Sequence, residues 1–496
     1  MGTFYVENFG CRATQADGAA IERQFLELGL EPAEVAAKAE VVVLNTCTVT
    51  ASADQDARAA IRRIHRQNPD CKIVVTGCYA QRAPEEIAAL AGVSQVIGNS
   101  HKHELAKIQA SDSSRWSSVV SRSQLASDQL TQHNLSDTAA PVEVGESKFV
   151  PLAQLTGLTT EDQQPTTEVL AAEVYVSDIF AHTELLAAPV FDAANERTRP
   201  NLKVQDGCDN RCSFCVIPYV RGQSRSLPVE RVLSEVNALV GSGYREVVIS
   251  GINLGRWGRD LPQAARFEFL VRKILDQTSL EKLRISSVEP MDWSDELIEL
   301  MATSPRIAKH AHVPMQSGSD RILRAMHRKY RPWHYEEKIR KIRRAMPDCA
   351  IGADVMVGFP GETDEEFDET RRMIESLPFT YLHVFTYSPR PGTPAASMKG
   401  AVPVRIARDR NRALRDLATA KKLDFMRSFV GRKVDAITLN VFDGEHTEAL
   451  TDNYLKVRIA GKREPNLWTR VLIGEVRDGA LMSGQGHDVE CDLATA

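Results

Sequence analysis

No apolar stretch in this 496-residue sequence is long enough to cross a bilayer, which takes about 20 consecutive apolar residues. The first twenty residues have neither a basic opening nor an apolar h-region. A secretory signal and a membrane partner are therefore not expected, and the cytoplasm is the expected compartment. Positive charge is not in excess either: 61 Lys and Arg stand against 66 Asp and Glu, a net charge of −5. Overall charge thus gives no argument for a nucleic-acid partner, and any basic footprint has to be local. No P-loop, HExxH motif or Ser–His–Asp set is present to suggest phosphoryl transfer, zinc proteolysis or acyl transfer. What is there is ordinary for a soluble globular chain, 43% hydrophobic and 26% charged, and the length suggests about two to four domains. The nine cysteines are an odd number. In a reducing compartment a disulfide framework is not expected, so metal or catalytic roles come first.

Residues 3–99 alternate strand and helix, with Val-rich runs at 40–44 (EVVVL) and 72–76 (KIVVT). Continuous apolar strands separated by helices predict an open parallel α/β sheet covered on both faces. Residues 111–161 are rich in Ser, Gln, Thr and Ala without periodicity, and order is expected to return near 170–191. Alternation resumes at 200–400 with six strand candidates, at 202–205, 246–250, 283–288, 311–316, 351–358 and 382–387. Six β/α units predict a partial (β/α)6 barrel, with a doubly wound sheet as the alternative. A charged helix is predicted over 404–430. Short β-type runs then follow at 433–440, 454–459 and 471–476, in the pattern of a small β-barrel. The expected domains are residues 1–103, an inserted and partly disordered linker at 104–196, a core at 197–424 and a carboxy-terminal barrel at 425–490.

Cys208, Cys212 and Cys215 form a CxxxCxxC pattern directly after the first strand of the barrel-like region. Loops at such strand ends carry active sites. Three thiolates in one loop suit a four-iron cluster with one iron free for a small molecule. A zinc site with a distant fourth ligand is the alternative. Cys11, Cys47 and Cys78 are far apart in sequence but share an address. Each lies at or just beyond the carboxyl end of a predicted strand, in FGC (9–11), NTC (45–47) and TGC (76–78). If those strands are neighbours the three sulfurs converge, at the edge where open α/β sheets bind ligands. The plainer alternative is three small buried hydrophobes. Cys71, Cys349 and Cys491 match neither pattern, and packing is the expected role for them.

The segment QDGCDNRCSFCVIPYVRGQSRS (205–226) resembles the cluster loop of the radical S-adenosylmethionine (SAM) methylthiotransferases. SGINLGRWG (250–258), ISSVEP (285–290), VPMQSGSDRIL (313–323) and GADVMVGFPGET (352–363) resemble that family's strand-end motifs. The resemblance covers nearly all of the chain outside 104–196. It implies that the Cys208/Cys212/Cys215 cluster binds and cleaves SAM, with Gly251, Glu289, Gln316 and Gly358 near the cofactor. The plainer alternatives are that the glycines permit tight turns and Glu289 caps a helix. It also implies a second [4Fe–4S] cluster on Cys11, Cys47 and Cys78, which carries or receives the sulfur to be inserted. Arg12-Ala13-Thr14 after the first cysteine is a small departure from the family pattern, and the 104–196 insert is a larger one.

Two segments are basic by seven charges each, residues 319–344 and 404–433. The part at 425–483 resembles the RNA-binding TRAM domain. Lys456, Arg458, Lys462, Arg463 and Arg470 are its candidate phosphate contacts, and Tyr454 and Trp468 its candidate stacking residues. FGCRATQAD (9–17) and HVFTYSPRPGTPAA (383–396) most resemble members that convert N6-threonylcarbamoyladenosine, beside the tRNA anticodon, to its 2-methylthio derivative. The expected partners are tRNA, SAM, an electron donor and a sulfur source, the last two unidentified. Alternative substrates are isopentenyladenosine in tRNA or a ribosomal protein. A radical SAM enzyme with another product and a non-catalytic metal-containing RNA-binding protein are the remaining alternatives.

Overall fold

Val41 to Leu44 and Ile73 to Val75 send alternate side chains to opposite sides of one sheet, and both sides are covered. In the computed structural model, which describes residues 2–111, 172–182, 185, 189–190, 199–484 and 489–490, Val42, Leu44, Ile73 and Val75 pack with Ala57, Ile61 and Ile64 of the helix Ala51–Gln67. Val41, Val43 and Val74 pack on the other face with Ile21 and Phe25 of the helix Arg12–Glu27. The strands are β1 (Thr3–Asn8), β2 (Glu31–Pro32), β3 (Val41–Thr46), β4 (Lys72–Gly77), β5 (Val93–Gly98) and β6 (Glu173–Tyr175). They are all parallel, in the order β2-β1-β3-β4-β5-β6. The three strands that precede Cys11, Cys47 and Cys78 are therefore immediate neighbours.

β6 and the helix Leu105–Ser111 fall within the stretch read from sequence as an inserted linker. The structure gives both to the amino-terminal sheet, β6 pairing Gln95 with Glu173 and Ile97 with Tyr175. A three-residue strand has too few positions to show a period, which is why it was not legible. The expectation of disorder over 111–161 falls almost wholly outside the described residues.

The core begins with β7 (Pro189–Val190), β8 (Asn201–Asp206) and β9 (Arg225–Ser226), where β7 and β9 run antiparallel to β8. The six predicted core strands are β8, β10 (Glu246–Gly251), β11 (Lys282–Ile285), β12 (His310–His312), β13 (Ala350–Val357) and β14 (Tyr381–Thr386). β8-β10-β11 and β12-β13-β14 form two parallel groups. The groups meet where Leu283 accepts from Ala308 N–H (2.9 Å) and His312 accepts from Val288 N–H (3.1 Å). One apolar core with Val204, Ile249, Leu283, Val313, Ile351, Trp257 and Trp293 unites them.

The charged helix is Val404–Arg427. After it come β15 (Lys433–Phe442), β16 (His446–Thr451), β17 (Lys456–Ala460), β18 (Trp468–Arg477), β19 (Ala480–Ser483) and β20 (Val489–Glu490). Their order is β15-β16-β17-β19-β18-β20, and β15 also pairs with β18. No helix among the described residues is long and apolar enough to cross a membrane.

A buried arginine ties the last sheet to the core. Arg284, on β11, bonds Glu246 on β10 at 2.6 Å and the carbonyls of Asp452 at 2.9 Å and Thr451 at 3.2 Å. Both partners of the ion pair are buried. Removing Arg284 takes from buried Glu246 its nearer partner and leaves it Arg199 at 3.6 Å, and breaking a buried pair costs about 3–5 kcal/mol. Arg284→Met is expected to lower stability by about that amount in urea unfolding. Limited proteolysis is expected to release the carboxy-terminal sheet earlier than in the unaltered chain.

Candidate functional site

Two triads of thiols sit at the carboxyl ends of parallel strands. In the core, β8 ends at Asp206 and the chain turns at Gly207, whose φ is +70° and where a Cβ would lie 1.8 Å from the Gln223 carbonyl oxygen. Cys208 follows, its N–H bonded to the Gly222 carbonyl (3.0 Å). The loop is held to the core by Ser213, whose N–H reaches the Met326 carbonyl (3.1 Å) and whose Oγ reaches that of Ala325 (2.7 Å). Donors point at the sulfurs: Asn210 N–H (3.4 Å) and Asn253 Nδ2 (3.6 Å) at Cys208, and Arg328 (3.3 Å) at Cys212. Burial, chiefly, pushes Cys208 up to about 11 and Cys215 up to about 12, with neighbouring thiols adding to it.

In the amino-terminal domain Gly10 precedes Cys11 with φ +102°, and a Cβ there would lie 2.6 Å from the Cys47 Cβ. Only glycine lets these two strand ends approach so closely. Cys11 is exposed, whereas Cys47 and Cys78 are buried. Cys78 Sγ accepts from Asn99 Nδ2 at 3.6 Å. Burial pushes Cys47 up to about 12; Cys78 and Cys11 add to this, while the Val49 N–H and Arg221 oppose it.

The two triads are neighbours in turn. Cys78 packs in a small apolar cluster with Val216, the residue after Cys215, and with Val220. Beneath this contact lies a buried set of charges from both domains. Asp17 bonds Lys102 (3.0 Å), Arg221 (3.0 Å) and Lys203. Asp206 bonds Arg221 (3.0 Å) and Lys203 (2.9 Å). Burial alone would raise Asp17, but Lys102, Lys203 and Arg221 hold its carboxyl below the usual carboxylate range. Asp206 is held well below that range against burial by Arg221 and Lys203. A second lock flanks Cys47. Arg390 bonds the Thr48 carbonyl (3.1 Å) and Asp54 (2.9 Å), and Arg82 also bonds Asp54 (3.1 Å).

Among the described residues, no three His, Cys, Asp or Glu side chains converge as the ligands of a single metal ion do. In a four-iron cubane each thiolate takes a different iron, so the sulfurs stand further apart than around one ion. The donor set suits such a group: thiols that ligate iron would release their protons to solvent, and N–H donors are aimed at sulfurs that would then be thiolates.

Of the residues expected near SAM, Glu289 pairs with Arg328, which also reaches Cys212, and it faces a gap shared with Asn210 and Tyr330. Gly251 ends β10 against Gln205, two residues before Asn253. Ser250 Oγ and Asn253 Oδ1 are buried without a hydrogen-bond partner, as polar atoms awaiting a ligand are. Gln316, with φ 63°, bridges Val355 on β13. The Gly358 N–H is taken by Glu362 (2.7 Å), and a Cβ there would meet Ala407, so its visible task is packing on the helix Val404–Arg427. Cys71 and Cys349 lie in apolar cores. Cys491 lies outside the described residues.

Sequence reasoning missed Asn253, Arg328, Asn99, Asp17 and Arg221. Asn253, Arg221 and Asp17 stand inside segments that resemble the family, and Arg328 lies in the basic segment 319–344. Only Arg328 of that segment's cations is buried; Arg321 pairs with Glu366 at the surface, and half-buried Arg343 bonds the carbonyls of Cys349 (2.9 Å) and Pro378 (2.9 Å). Trp468, expected to stack on bases, is 1% exposed and packs under Lys282. Tyr454 turns inward against His310 and Arg284.

Asp17→Asn leaves Lys102, Lys203 and Arg221 short of a counter-charge, and a loss of about 3–5 kcal/mol is expected in urea unfolding. A depressed folded pKa contributes stability in full above the unfolded value, about pH 4, and loses it as pH falls through the folded value. The unaltered chain is therefore expected to lose stability below about pH 4 more steeply than Asp17→Asn.

Family comparisons agree with this geometry. Residues 202–374 match the radical SAM superfamily and residues 3–98 match an uncharacterized protein family, UPF0004. The chain is 34% identical to the threonylcarbamoyladenosine tRNA methylthiotransferase MtaB of Aquifex aeolicus, over 94% of this chain and 99% of that one. It is 30% identical to a tRNA-2-methylthio-N(6)-dimethylallyladenosine synthase of Endomicrobium trichonymphae, over 93% of this chain and 94% of that one. Among solved structures, the radical SAM methyltransferase TsrM of Kitasatospora setae shares the fold, with a TM-score of 0.51 and 16% identity over 79% of this chain and 74% of that one.

Proposed function

This chain belongs to the radical SAM methylthiotransferases, with the MtaB-type tRNA enzymes, and from that premise we propose that it converts N6-threonylcarbamoyladenosine beside the tRNA anticodon to its 2-methylthio derivative. The observation that carries the reading is the contact between the triads, with Cys78 packed against the residue that follows Cys215. A reaction that activates one carbon of a base and delivers sulfur to it needs both centres at one substrate. Replacing an aromatic hydrogen is beyond side-chain acid–base chemistry at neutral pH, so the protein's tasks are binding, orientation and shielding.

Two [4Fe–4S] clusters, when bound, supply the electron that splits SAM at one centre and the sulfur at the other. Cys208, Cys212 and Cys215 hold the first, and Cys11, Cys47 and Cys78 the second. Asn210, Asn253 and Arg328 orient and stabilise the anionic sulfurs of the first triad, and Asn99 does so for Cys78. Glu289, locked by Arg328, offers a carboxylate beside Cys212 to SAM, and Gly251 keeps the neighbouring strand end free of a side chain. Gln316 lies at a third strand end. For Gly358 the packing role is the better supported one.

The domains are read as residues 1–111 with 173–175, a core from 189 to 427, and a carboxy-terminal unit from 433. The pairing of β15 with both β16 and β18 supports a small TRAM-like barrel in that unit. Its contacts to RNA rest on Arg458 and Lys462 more than on Lys456 and Arg470, which pair with Glu448 (3.0 Å) and Asp435 (2.7 Å).

Purified without oxygen, the chain is expected to carry about eight iron atoms and each triad variant about four. Cys212→Ala is expected to abolish SAM cleavage. Cys47→Ala should still cleave SAM yet give no 2-methylthio nucleoside by mass spectrometry. Equal loss of SAM cleavage in the two variants would contradict the division of labour, and absence of the methylthio nucleoside with the unaltered enzyme would refute the function.

A further inference from the structure

A cavity of about 710 Å³ opens where the three domains meet. Its walls are Arg12 of the amino-terminal domain, strands β12 to β14, the helix Val404–Arg427 and Tyr454 of the carboxy-terminal sheet. The volume falls within the range of about 300–1,000 Å³ typical of small-ligand sites. Arg12 directly follows Cys11 and bonds the Tyr454 hydroxyl at 3.0 Å, so this wall continues the amino-terminal thiol triad.

The lining carries excess positive charge. Arg12, Arg415 and Lys422 face it, against one carboxylate, Asp354. Asp354 already has His312 at 3.4 Å. Arg415 and Lys422 stand seven residues apart, on one face of their helix. Among the described residues neither forms an ion pair, whereas Arg410 of the same helix is locked to Glu362 at 2.6 Å and Lys421 to the Leu377 carbonyl at 2.9 Å. His310 and His383 add no charge: burial, then Arg284 and His312, drive His310 well below its ordinary value, and burial, then His312, lowers His383. The floor is rigid, with the His310 ring stacked 4.8 Å from Tyr454 and bonded to the Tyr381 hydroxyl at 2.6 Å.

We propose that this cavity receives the N6 substituent of the target adenosine and that Arg415 and Lys422, with Arg12, bind its carboxylate. The proposal rests on the functional reading above and deepens it. N6-threonylcarbamoyladenosine ends in a carboxylate. A dimethylallyl group in the same place offers only carbon and would desolvate three cations without answering them. A site built to pair with a polar group rejects an analogue that lacks it far more strongly than an apolar site rejects an added group. Adenine carbons 2 and 6 are separated by one ring nitrogen, so a substituent held here keeps carbon 2 near the wall that begins at Cys11. An RNA phosphate is the other anion that could meet these cations.

Two anticodon stem–loop RNAs, identical except for N6-threonylcarbamoyladenosine or N6-dimethylallyladenosine at the target position, separate the two anions. The full-length holoenzyme is expected to bind the first more tightly. Arg415→Ala and Lys422→Ala should each shrink the ratio of the two dissociation constants by about ten-fold, as loss of a charge-assisted hydrogen bond does. Arg415→Lys should restore part of it. An unchanged ratio, whether both RNAs weaken together through a lost phosphate contact or neither weakens, would overturn the proposal. Failure of the unaltered enzyme to methylthiolate the first RNA is a different result, which overturns the functional reading and this proposal with it.

Discussion

The arrangement depends on two aspartates buried between two domains. Asp17 comes from the helix that follows Cys11, and Asp206 from the last position of the strand that precedes Cys208. Lys102, Lys203 and Arg221 lie between and around them. Burying five charges is expensive, and apolar side chains of like volume are often as good for stability alone. An apolar contact, however, tolerates sliding. A set in which Arg221 must meet Asp17 and Asp206 at once fixes the register of one domain on the other. Buried Arg225, 3.9 Å from Asp206, adds a further cation, and the surplus of positive charge lies beside sulfur. Arg221 is raised well above its ordinary value, against burial, by Asp206 first and then by Cys78, Asp17 and Cys11.

The same construction is used twice. In a parallel sheet every strand delivers the chain to one edge, and a residue just past each strand shares that edge with its neighbours. Cys11, Cys47 and Cys78 collect one sulfur from each of three strands. Cys208, Cys212 and Cys215 instead take all three from one loop, which needs only one strand end but must be braced from outside. Ser213 does this, tied to Ala325 and Met326, and its carbonyl in turn accepts from Ala395 N–H at 2.8 Å. The spread triad is rigid because its strands are, and the compact one because distant segments hold it.

This difference explains what the sequence made legible. Strand ends can be read from Val-rich runs stopping at Gly or Asn–Thr, so six cysteines and six core strands could be placed without coordinates. The addresses of the charges could not. Asp17 and Arg221 are 204 residues apart, and Asp54 and Arg390 are 336 apart. No local period announces such a pair. Charge sums are blind for a related reason: a run of arginines has the same sum whether a member faces solvent or, as with Arg328 and Arg410, is folded inward onto a sulfur or a glutamate. Trp468 was misjudged likewise, because an aromatic residue in a short strand has two faces available and pattern alone does not say which is covered.

One stretch of chain, residues 206–222, serves both triads. It holds three of the thiols itself and supplies Val216 and Val220 to Cys78. It also places Arg221 against Asp17 and contributes the Val220 carbonyl to Asn99, at 2.6 Å. Asn99 donates at once to that carbonyl and to the Cys78 sulfur, so a shift of the loop after Cys215 is felt at a sulfur of the other domain through a single side chain. Proline at 218 and glycine at 222 close the short helix Ile217–Arg221 at its two ends, the glycine with φ 74°. The helix therefore has a fixed length and direction between the two sets of thiols. The distance between the centres is set by five residues of backbone, and the buried ions keep that backbone in place.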